Sequence, residues 1–232
     1  MFNLQTAGSK PLDSSDAVRK HKHTMWSKLK QNVKRRLDSH IREEIDLASR
    51  DILLARRHKA TVDSAAFVDQ FMPIARGYTD RFDLLRAAVK EVTVVGLCCE
   101  FGVYNGESIN FLASLLPQEI HGFDSFEGLP EDWNFNHPRG KFALACLPEV
   151  RSNVRLHQGW FESSIPTFRQ EHSGAIAFLH LDADVYSSTR TVLELMGDQI
   201  VAGTMIQFNE FLNYRGWQGG EHKAFTEFCE AR

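Results

Sequence analysis

The chain has 232 residues, of which 43% are hydrophobic and 25% are charged, and its formal net charge at pH 7 is −3. This composition is typical of a folded globular protein and excludes a disordered or collagen-like chain. The weak negative charge gives no global reason to expect nucleic acid as a partner.

The sequence also bears on cellular location. No segment reaches the roughly 18 apolar residues of a membrane-spanning helix, and the first residues lack the apolar core of a signal peptide. The four cysteines, which include the adjacent pair Cys98 and Cys99, show no CxxC spacing. We therefore expect reduced thiols, no membrane partner and a cytoplasmic location.

Residues 1–60 are predicted to form a basic N-terminal arm. They hold 14 Lys and Arg against 7 Asp and Glu, whereas residues 61–232 hold 13 against 23. We expect little fixed structure in the first two dozen residues, and then one long amphipathic helix or two consecutive ones, because apolar residues recur every three or four positions from Trp26. Such an arm suits a dimer contact or a lid over a pocket, although a solvated helix face explains the charges equally well.

After residue 90, short apolar runs alternate with segments of helical period. The five candidate strands are residues 92–99, 119–123, 153–157, 175–181 and 204–208. Helical crossovers between strands favour parallel pairing. The predicted fold class is therefore α/β, with a doubly wound, mostly parallel sheet formed by residues 61–232 and an N-terminal helical extension.

In such sheets ligands bind beyond the carboxyl ends of the strands, so the turns that follow the strands carry the candidate site. The first turn supplies an acid at the strand end, glycines that allow close approach of backbone, and two hydroxyl groups: Glu100, Gly102, Tyr104, Gly106 and Ser108. This is not the GxGxxG motif of dinucleotide-binding sites. An acid at this place suits a ligand that carries positive charge.

The second and third turns offer contacts for a nucleoside. Asp124, followed by Ser125, lies close to the spacing at which an acid after the second strand binds ribose hydroxyls. Gly159 and Trp160 follow the third strand, where the indole would form a wall for adenine. A turn aspartate and a packing aromatic are the alternative interpretations.

The fourth and fifth turns place oxygen ligands on adjacent strands. Asp182 and Asp184 follow one strand, and Asn209 and Glu210 follow the next. Such oxygens suit a hard divalent cation, whereas the alternative is that some of them cap helices or pair with charges. Ser188 is the better cap for the following helix, which leaves Asp182 for another role.

Four segments in this order resemble the class I S-adenosylmethionine-dependent methyltransferases, and specifically the macrocin O-methyltransferase family. They are residues 100–108, 122–130 (Gly-Phe-Asp-Ser-Phe-Glu-Gly-Leu-Pro), 180–189 (His-Leu-Asp-Ala-Asp-Val-Tyr-Ser-Ser-Thr) and 216–225 (Gly-Trp-Gln-Gly-Gly-Glu-His-Lys-Ala-Phe). The resemblance covers roughly residues 80 to 230. The first and last turns are also similar to catechol O-methyltransferase, which has a magnesium site.

The resemblance implies a Rossmann-like domain that binds S-adenosylmethionine and methylates a hydroxyl of a sugar, glycoside or phenol. The implied cofactor contacts are Glu100, Gly102, Tyr104, Gly106, Ser108, Asp124, Ser125, Gly159, Trp160 and Asp182. Asp182, Asn209 and Glu210 would bind Mg²⁺, and Asp182 would also serve as the catalytic base. The macrocin family usually has an aspartate where this chain has Asn209, and such folds usually continue with a final pair of strands beyond the point where this sequence ends.

Two other functions are compatible with these features. Asn209 favours a catalytically silent module that binds the cofactor or serves assembly, and a nicotinamide-dependent oxidoreductase is disfavoured by the missing third glycine. A bare edge after the fifth strand would invite a homodimer. The candidate residues for an acceptor pocket are aromatic or basic: His121, Trp133, His137, Tyr214, Arg215 and Trp217.

Overall fold

The structure is a computed structural model that describes residues 14–232. The chain divides into two compact units, with the boundary between Arg56 and Arg57. The segment of the arm before residue 14 lies outside the described residues, whereas α1 (Ser14–Arg50) begins within the two dozen residues for which little fixed structure was expected.

The arm forms two consecutive helices and not one long helix, and the second of them extends beyond residue 60. α1 ends at Arg50 and α2 (Ile52–Phe71) begins two residues later. Asp51 causes the break, because its Oδ1 accepts hydrogen bonds from the backbone N–H groups of Leu53 at 2.8 Å and Leu54 at 3.1 Å. This is the geometry of a helix N-cap.

The unit that begins at Arg57 alternates strands and helices. In chain order its further elements are α3 (Arg81–Lys90), β1 (Leu97–Phe101), α4 (Glu107–Leu115), β2 (Ile120–Asp124), β3 (Val154–Gln158), α5 (Phe161–Glu171), β4 (Ile176–Leu181), α6 (Tyr186–Met196), β5 (Met205–Phe208) and α7 (Glu221–Glu230). All five predicted strands are present. The first begins at Leu97 rather than at residue 92, and α6 begins at Tyr186, so the prediction that Ser188 caps this helix is wrong.

The five strands form one sheet in the order β3-β2-β1-β4-β5, and all pairs are parallel. From β1 the chain adds β2 and then β3 on one side of the sheet. It then returns to the other side of β1, where it adds β4 and β5. The topological switch point therefore lies between β1 and β4. This confirms the predicted α/β, doubly wound fold.

Apolar side chains cover both faces of the sheet because successive strand residues point to opposite sides. Cys98 and Ile120 pack in one layer with α3 and α4, whereas Cys99, Phe101 and Phe123 pack in the other with α5, α6 and α7. Each fully buried large apolar side chain contributes roughly 1.5–3 kcal/mol. The two layers fix the strand ends from which the site is built.

Two further findings concern the predictions on membranes and thiols. Within residues 14–232, no helix is long and apolar enough to cross a membrane. Cys98 and Cys99 are buried free thiols, whereas Cys146 and Cys229 are exposed free thiols.

Candidate functional site

A cavity of about 520 Å³ opens at the carboxyl ends of the strands, across the switch point. Nine of the predicted site residues line it: Gly102, Tyr104, Ser108, Asp124, Ser125, Trp160, Asp182, Asn209 and Glu210. The turns after four of the five strands and the segment after β3 therefore converge on one space.

The turns after β1 and β4 approach each other as closely as backbone permits. Gly102 has φ +93°, and a Cβ built on it would lie 1.9 Å from the carbonyl oxygen of Asp182. Only glycine fits here, because both the left-handed conformation and the contact exclude a side chain. Gly102 is thus a point of close backbone approach to the neighbouring turn, and its predicted approach to a ligand stays a prediction.

Asp124 ties the turns after β1 and β2 together. Its Oδ2 accepts hydrogen bonds from the backbone N–H groups of Val103 at 2.9 Å and Tyr104 at 2.8 Å, and its Oδ1 accepts one from Phe126 at 2.7 Å. A carboxylate has about four lone-pair sites. Asp124 can hold the turns in this way and still accept a hydroxyl from a ligand in the cavity.

The structure places Glu100 away from the cavity, contrary to the prediction that it contacts the cofactor. Its side chain is fully buried and lies beside its register partner on β4, His180. One carboxyl oxygen accepts a hydrogen bond from Ser108 Oγ at 2.9 Å, and the other lies 2.8 Å from His180 Nδ1. Glu100 therefore links the ends of β1 and β4 through its contact with His180.

The contact between Glu100 and His180 shifts the pKa values of both groups. Burial lowers the pKa of His180, but the hydrogen bond to Glu100 and the charge of that carboxyl outweigh burial, so the net shift of the His180 pKa is upward. Burial raises the pKa of Glu100, and the contact with His180 partly offsets this. Two groups that are both fully buried need each other to remain ionised.

Two other predicted contacts are not part of the cavity wall. Gly106 caps α4 in the left-handed conformation at φ +81°, and Gly159 follows β3 at φ +137°. Both glycines let the chain turn toward the cavity, but the side chains beside them form its surface. Their predicted role as direct cofactor contacts stays a prediction.

The turns after β4 and β5 bring acids close together. Burial, followed by repulsion from Asp182, Glu210 and Asp124, raises the pKa of Asp184 to about 8. Burial and repulsion from Asp182 raise the pKa of Glu210 to about 7. The pKa of Asp182 is also raised, chiefly by burial. This part of the cavity therefore holds carboxyl groups that can take up a proton near neutral pH.

Asn209 lies between two of these acids and determines whether they fit a metal. Its Nδ2 donates to Asp182 Oδ1 at 2.9 Å and to Glu210 Oε1 at 3.4 Å. An N–H donor thus points at the place where an ion would lie between the carboxylates. Among residues 14–232, no three His, Cys, Asp or Glu side chains are placed to share a metal ion. As arranged, the residues predicted to bind Mg²⁺ do not fit a divalent cation.

The opposite wall of the cavity is aromatic. It comes from the connection between β2 and β3, where Trp133, His137 and Phe142 line the space. The Trp133 and His137 rings lie 5.1 Å apart between centroids. Backbone hydrogen bonds from Leu129 N–H to Lys141 O and from Gly140 N–H to Leu129 O, both 2.9 Å, close this segment at its base.

The remaining acceptor candidates lie elsewhere. His121 packs on the other side of β2, with its Nδ1 3.2 Å from His157 Nε2 and its ring against His172. Trp217 is buried against Phe67, and Tyr214 packs behind Trp133. These residues were assigned to the acceptor pocket because they lie near loops in the sequence. Nearness to a loop does not distinguish a side chain that lines a cavity from one that packs behind its wall.

Sequence reasoning missed several residues that line the cavity. Arg81, at the start of α3, pairs with Glu107 at the start of α4, and both reach the cavity. Phe142 lies in a long connection without a recognisable pattern. Asp184, which was named beside Asp182 as an oxygen ligand, also lines the cavity and has a left-handed φ of 62°.

Comparison with known proteins identifies the domain. Residues 99–211 match the family model described as "Methyltransferase domain". This match covers just under half of the chain, and residues 99–211 are therefore similar to a methyltransferase domain. This confirms the broad resemblance inferred from the four segments, while membership of the narrower macrocin family stays a prediction.

Two similar proteins have described activities. This chain is 28% identical over 162 residues to the 8-demethyl-8-(2,3-dimethoxy-α-L-rhamnosyl)-tetracenomycin-C 4′-O-methyltransferase of Streptomyces olivaceus, and the match covers 56% of this chain and 60% of that protein. The chain therefore spans about 60% of the length of the curated relative it matches. Its fold is similar to that of the calicheamicin methyltransferase CalS11, with a TM-score of 0.54 and 23% identity over 75% of this chain and 81% of that one.

Proposed function

We propose that the protein is an S-adenosylmethionine-dependent O-methyltransferase whose acceptor is a sugar hydroxyl of a glycoside. One observation carries the proposal: the cavity at the switch point joins the turns after β1 and β2 to acids whose pKa values lie near neutrality. The relative from Streptomyces olivaceus is named for methylation of a rhamnosyl glycoside, which supports the acceptor class.

The half of the cavity formed by the turns after β1, β2 and β3 would hold the cofactor. Backbone at Gly102 and the side chains of Tyr104 and Ser108, which line this half, would hold the methionine end; Asp124 and Ser125 would hold the ribose, and Trp160 would hold the adenine. S-adenosylmethionine supplies a methyl group on a positively charged sulfur. The acids around the cavity favour that charge by Coulomb attraction.

The acceptor half contains the groups that handle the proton. Bound S-adenosylmethionine would supply the methyl group to an acceptor oxygen and would leave as S-adenosylhomocysteine, so the task of the residues here is to position the acceptor and to remove its proton. The hydroxyl proton would pass to the carboxyl group predicted as base, Asp182, or to the nearby Glu210, because burial raises the pKa values of both acids. A base with a pKa near the working pH typically contributes 10²–10⁴-fold to the rate.

No step of this mechanism passes through a metal ion, because Asn209 turns a hydrogen-bond donor toward Asp182 and Glu210. Magnesium dependence stays a prediction of the resemblance. Turnover measured in EDTA and again with added MgCl₂ tests it, since equal rates contradict the prediction and a rate that appears only with MgCl₂ supports it.

We also propose that the protein is a cytoplasmic homodimer. The support is the basic arm, residues 1–60, and the β5 edge of the five-stranded sheet, where Met205–Phe208 pairs with β4 on one side. Removal of residues 1–50 deletes α1 but keeps α2. If this variant keeps the same number of subunits in solution, α1 is not a dimer contact. If its turnover is also unchanged, α1 is not a lid.

The deciding experiment is calorimetry with S-adenosylhomocysteine, followed by transfer of labelled methyl to a panel of glycosides. Micromolar binding and transfer to a glycoside support the proposal. Binding without transfer to any acceptor favours the silent module, which the amide at Asn209 also suggests. Binding of NAD in place of S-adenosylhomocysteine would contradict both.

A further inference from the structure

Glu221 is an acid whose position none of the roles above explains. It is the first residue of α7, yet its side chain is fully buried. An acid in the first turn of a helix ordinarily lies at the surface and interacts with the helix dipole. Glu221 does not cap its own helix, because Gly220 occupies the cap position without a side-chain hydrogen bond. Its carboxylate must be held by groups from elsewhere in the fold.

The partners of Glu221 are two backbone N–H groups from different turns. Its Oε2 accepts a hydrogen bond from Glu210 at 2.9 Å, and its Oε1 accepts one from Ala183 at 3.4 Å. Ala183 belongs to the turn after β4, and Glu210 belongs to the turn after β5. One carboxylate therefore bridges the two turns that carry the acids of the cavity.

The bridge begins where the sheet hydrogen bonds end. The preceding amides still donate to carbonyls of neighbouring strands: Asp182 N–H to Phe101 O at 2.9 Å, and Asn209 N–H to Leu181 O at 2.8 Å. The next residue in each turn has passed the sheet edge, and there Glu221 accepts the N–H in place of a carbonyl. The carboxylate thus extends the ordered part of both strands by one residue.

We propose that Glu221 is a positioning residue, which holds the turns after β4 and β5 in register so that Asp182 and Glu210 converge on the acceptor. The inference rests on the proposed function of the cavity. Glu221 does not line the cavity and acts through the two turns. Small displacements matter here, because a shift of about 1 Å in a reacting group can lower a rate on the order of 100-fold.

The cofactor half is held independently, which makes the role testable. Asp124 fixes the turns after β1 and β2 through Val103 and Tyr104, and Glu221 makes no contact with those turns among its hydrogen bonds. Loss of the Glu221 bridge is therefore expected to disorder the acceptor half and to leave cofactor affinity in place. A residue that serves only the stability of the whole domain would affect both halves together.

The first measurement uses the wild-type chain. Amide hydrogen exchange is followed by NMR for Ala183 and Glu210, with and without S-adenosylhomocysteine. We expect both amides to exchange at least tenfold more slowly than exposed turn amides, because their N–H groups are bonded to a buried carboxylate. Exchange at the rate of an exposed turn would overturn the proposal without any variant.

The second measurement uses Glu221→Gln, which keeps the volume and one acceptor oxygen but turns an NH₂ group toward the other backbone N–H. Exposed Glu230, at the end of the same helix, supplies the control Glu230→Gln. We expect exchange at Ala183 or Glu210 to accelerate at least tenfold in Glu221→Gln alone, with S-adenosylhomocysteine affinity changed less than twofold.

The outcomes separate the inference from the proposed function. Exchange that stays slow in Glu221→Gln, or a parallel loss of cofactor affinity and of protection throughout the sheet, would overturn the positioning role. Failure of the wild-type chain to bind S-adenosylhomocysteine would instead refute the proposed function, and the exchange rates would still report whether Glu221 joins the two turns.

Discussion

Replacement of Asp124 by Asn tests how the cofactor half is built. The Asp124 carboxylate accepts three backbone N–H groups, from Val103, Tyr104 and Phe126, at 2.7–2.9 Å. The Asn side chain has the same size but only one acceptor oxygen. Its NH₂ group must therefore face either the N–H of Phe126 or the N–H groups of Val103 and Tyr104. The variant loses at least one hydrogen bond to a charged acceptor, which contributes about 1.5–3 kcal/mol. We expect S-adenosylhomocysteine affinity to fall about tenfold, which corresponds to 1.4 kcal/mol, because the turns that line the cofactor half are then less firmly held in the geometry that binds it.

The assay is calorimetric titration of Asp124→Asn with S-adenosylhomocysteine, together with its thermal unfolding. Asp69→Asn is the matched control, because Asp69 is an exposed acid on α2. For a domain of this size the lost hydrogen bond should also lower Tm, by roughly 2–4 °C for each kcal/mol. An affinity equal to that of the wild type, with an unchanged Tm, would refute the argument that Asp124 joins the first two turns.

Three further predictions concern other parts of the molecule. Asp182→Asn and Glu210→Gln should retain S-adenosylhomocysteine binding within about threefold but lose on the order of 10²–10⁴ in methyl transfer, and equal loss of binding would place these acids in the cofactor half. Gly102→Ala should abolish cofactor binding and lower Tm, as measured by calorimetry and thermal unfolding, because its Cβ would lie 1.9 Å from the Asp182 carbonyl oxygen. Burial and the neighbouring His157 lower the pKa of His121 to about 4. The unfolded chain therefore binds the extra proton between about pH 6.5 and 4, and stability should fall as pH drops through this window, by about 3 kcal/mol in all for this group. Urea unfolding at several pH values measures this dependence, and an equally steep loss in His121→Phe would assign it to other groups.

Periodicity and turn residues were sufficient to predict the fold. Five short apolar runs separated by helical segments left parallel pairing as the expected arrangement, and each strand is present within a few residues of its predicted bounds. The main error is at β1, which begins at Leu97 because the preceding apolar residues do not pair; Val95 is almost fully exposed. Apolar composition alone does not indicate where sheet hydrogen bonding starts.

The site was predicted less completely, because its chemistry depends on direction as well as position. Glu100 stands at a strand end, where a side chain faces either the cavity or the adjacent strand, and only the register with His180 decides between them. Glu221 resembled an ordinary first-turn acid, and its buried bridge arises from the meeting of α7 with two turns distant in sequence. Asn209 was recognised as unusual, but the donor that it directs at Asp182 required coordinates.

The loop that carries Trp133 and His137 of the aromatic wall has a consequence for how proteins with this cavity diversify. The two ends of residues 129–141 meet, where Leu129 pairs with Gly140 and Lys141. A segment that closes on itself can be exchanged between relatives as a cassette, since its length and side chains change without breaking a strand. Under the proposed function, new acceptors can be recruited by exchange of this cassette, while the residues of the cofactor half and the carboxyls beside the acceptor keep their places.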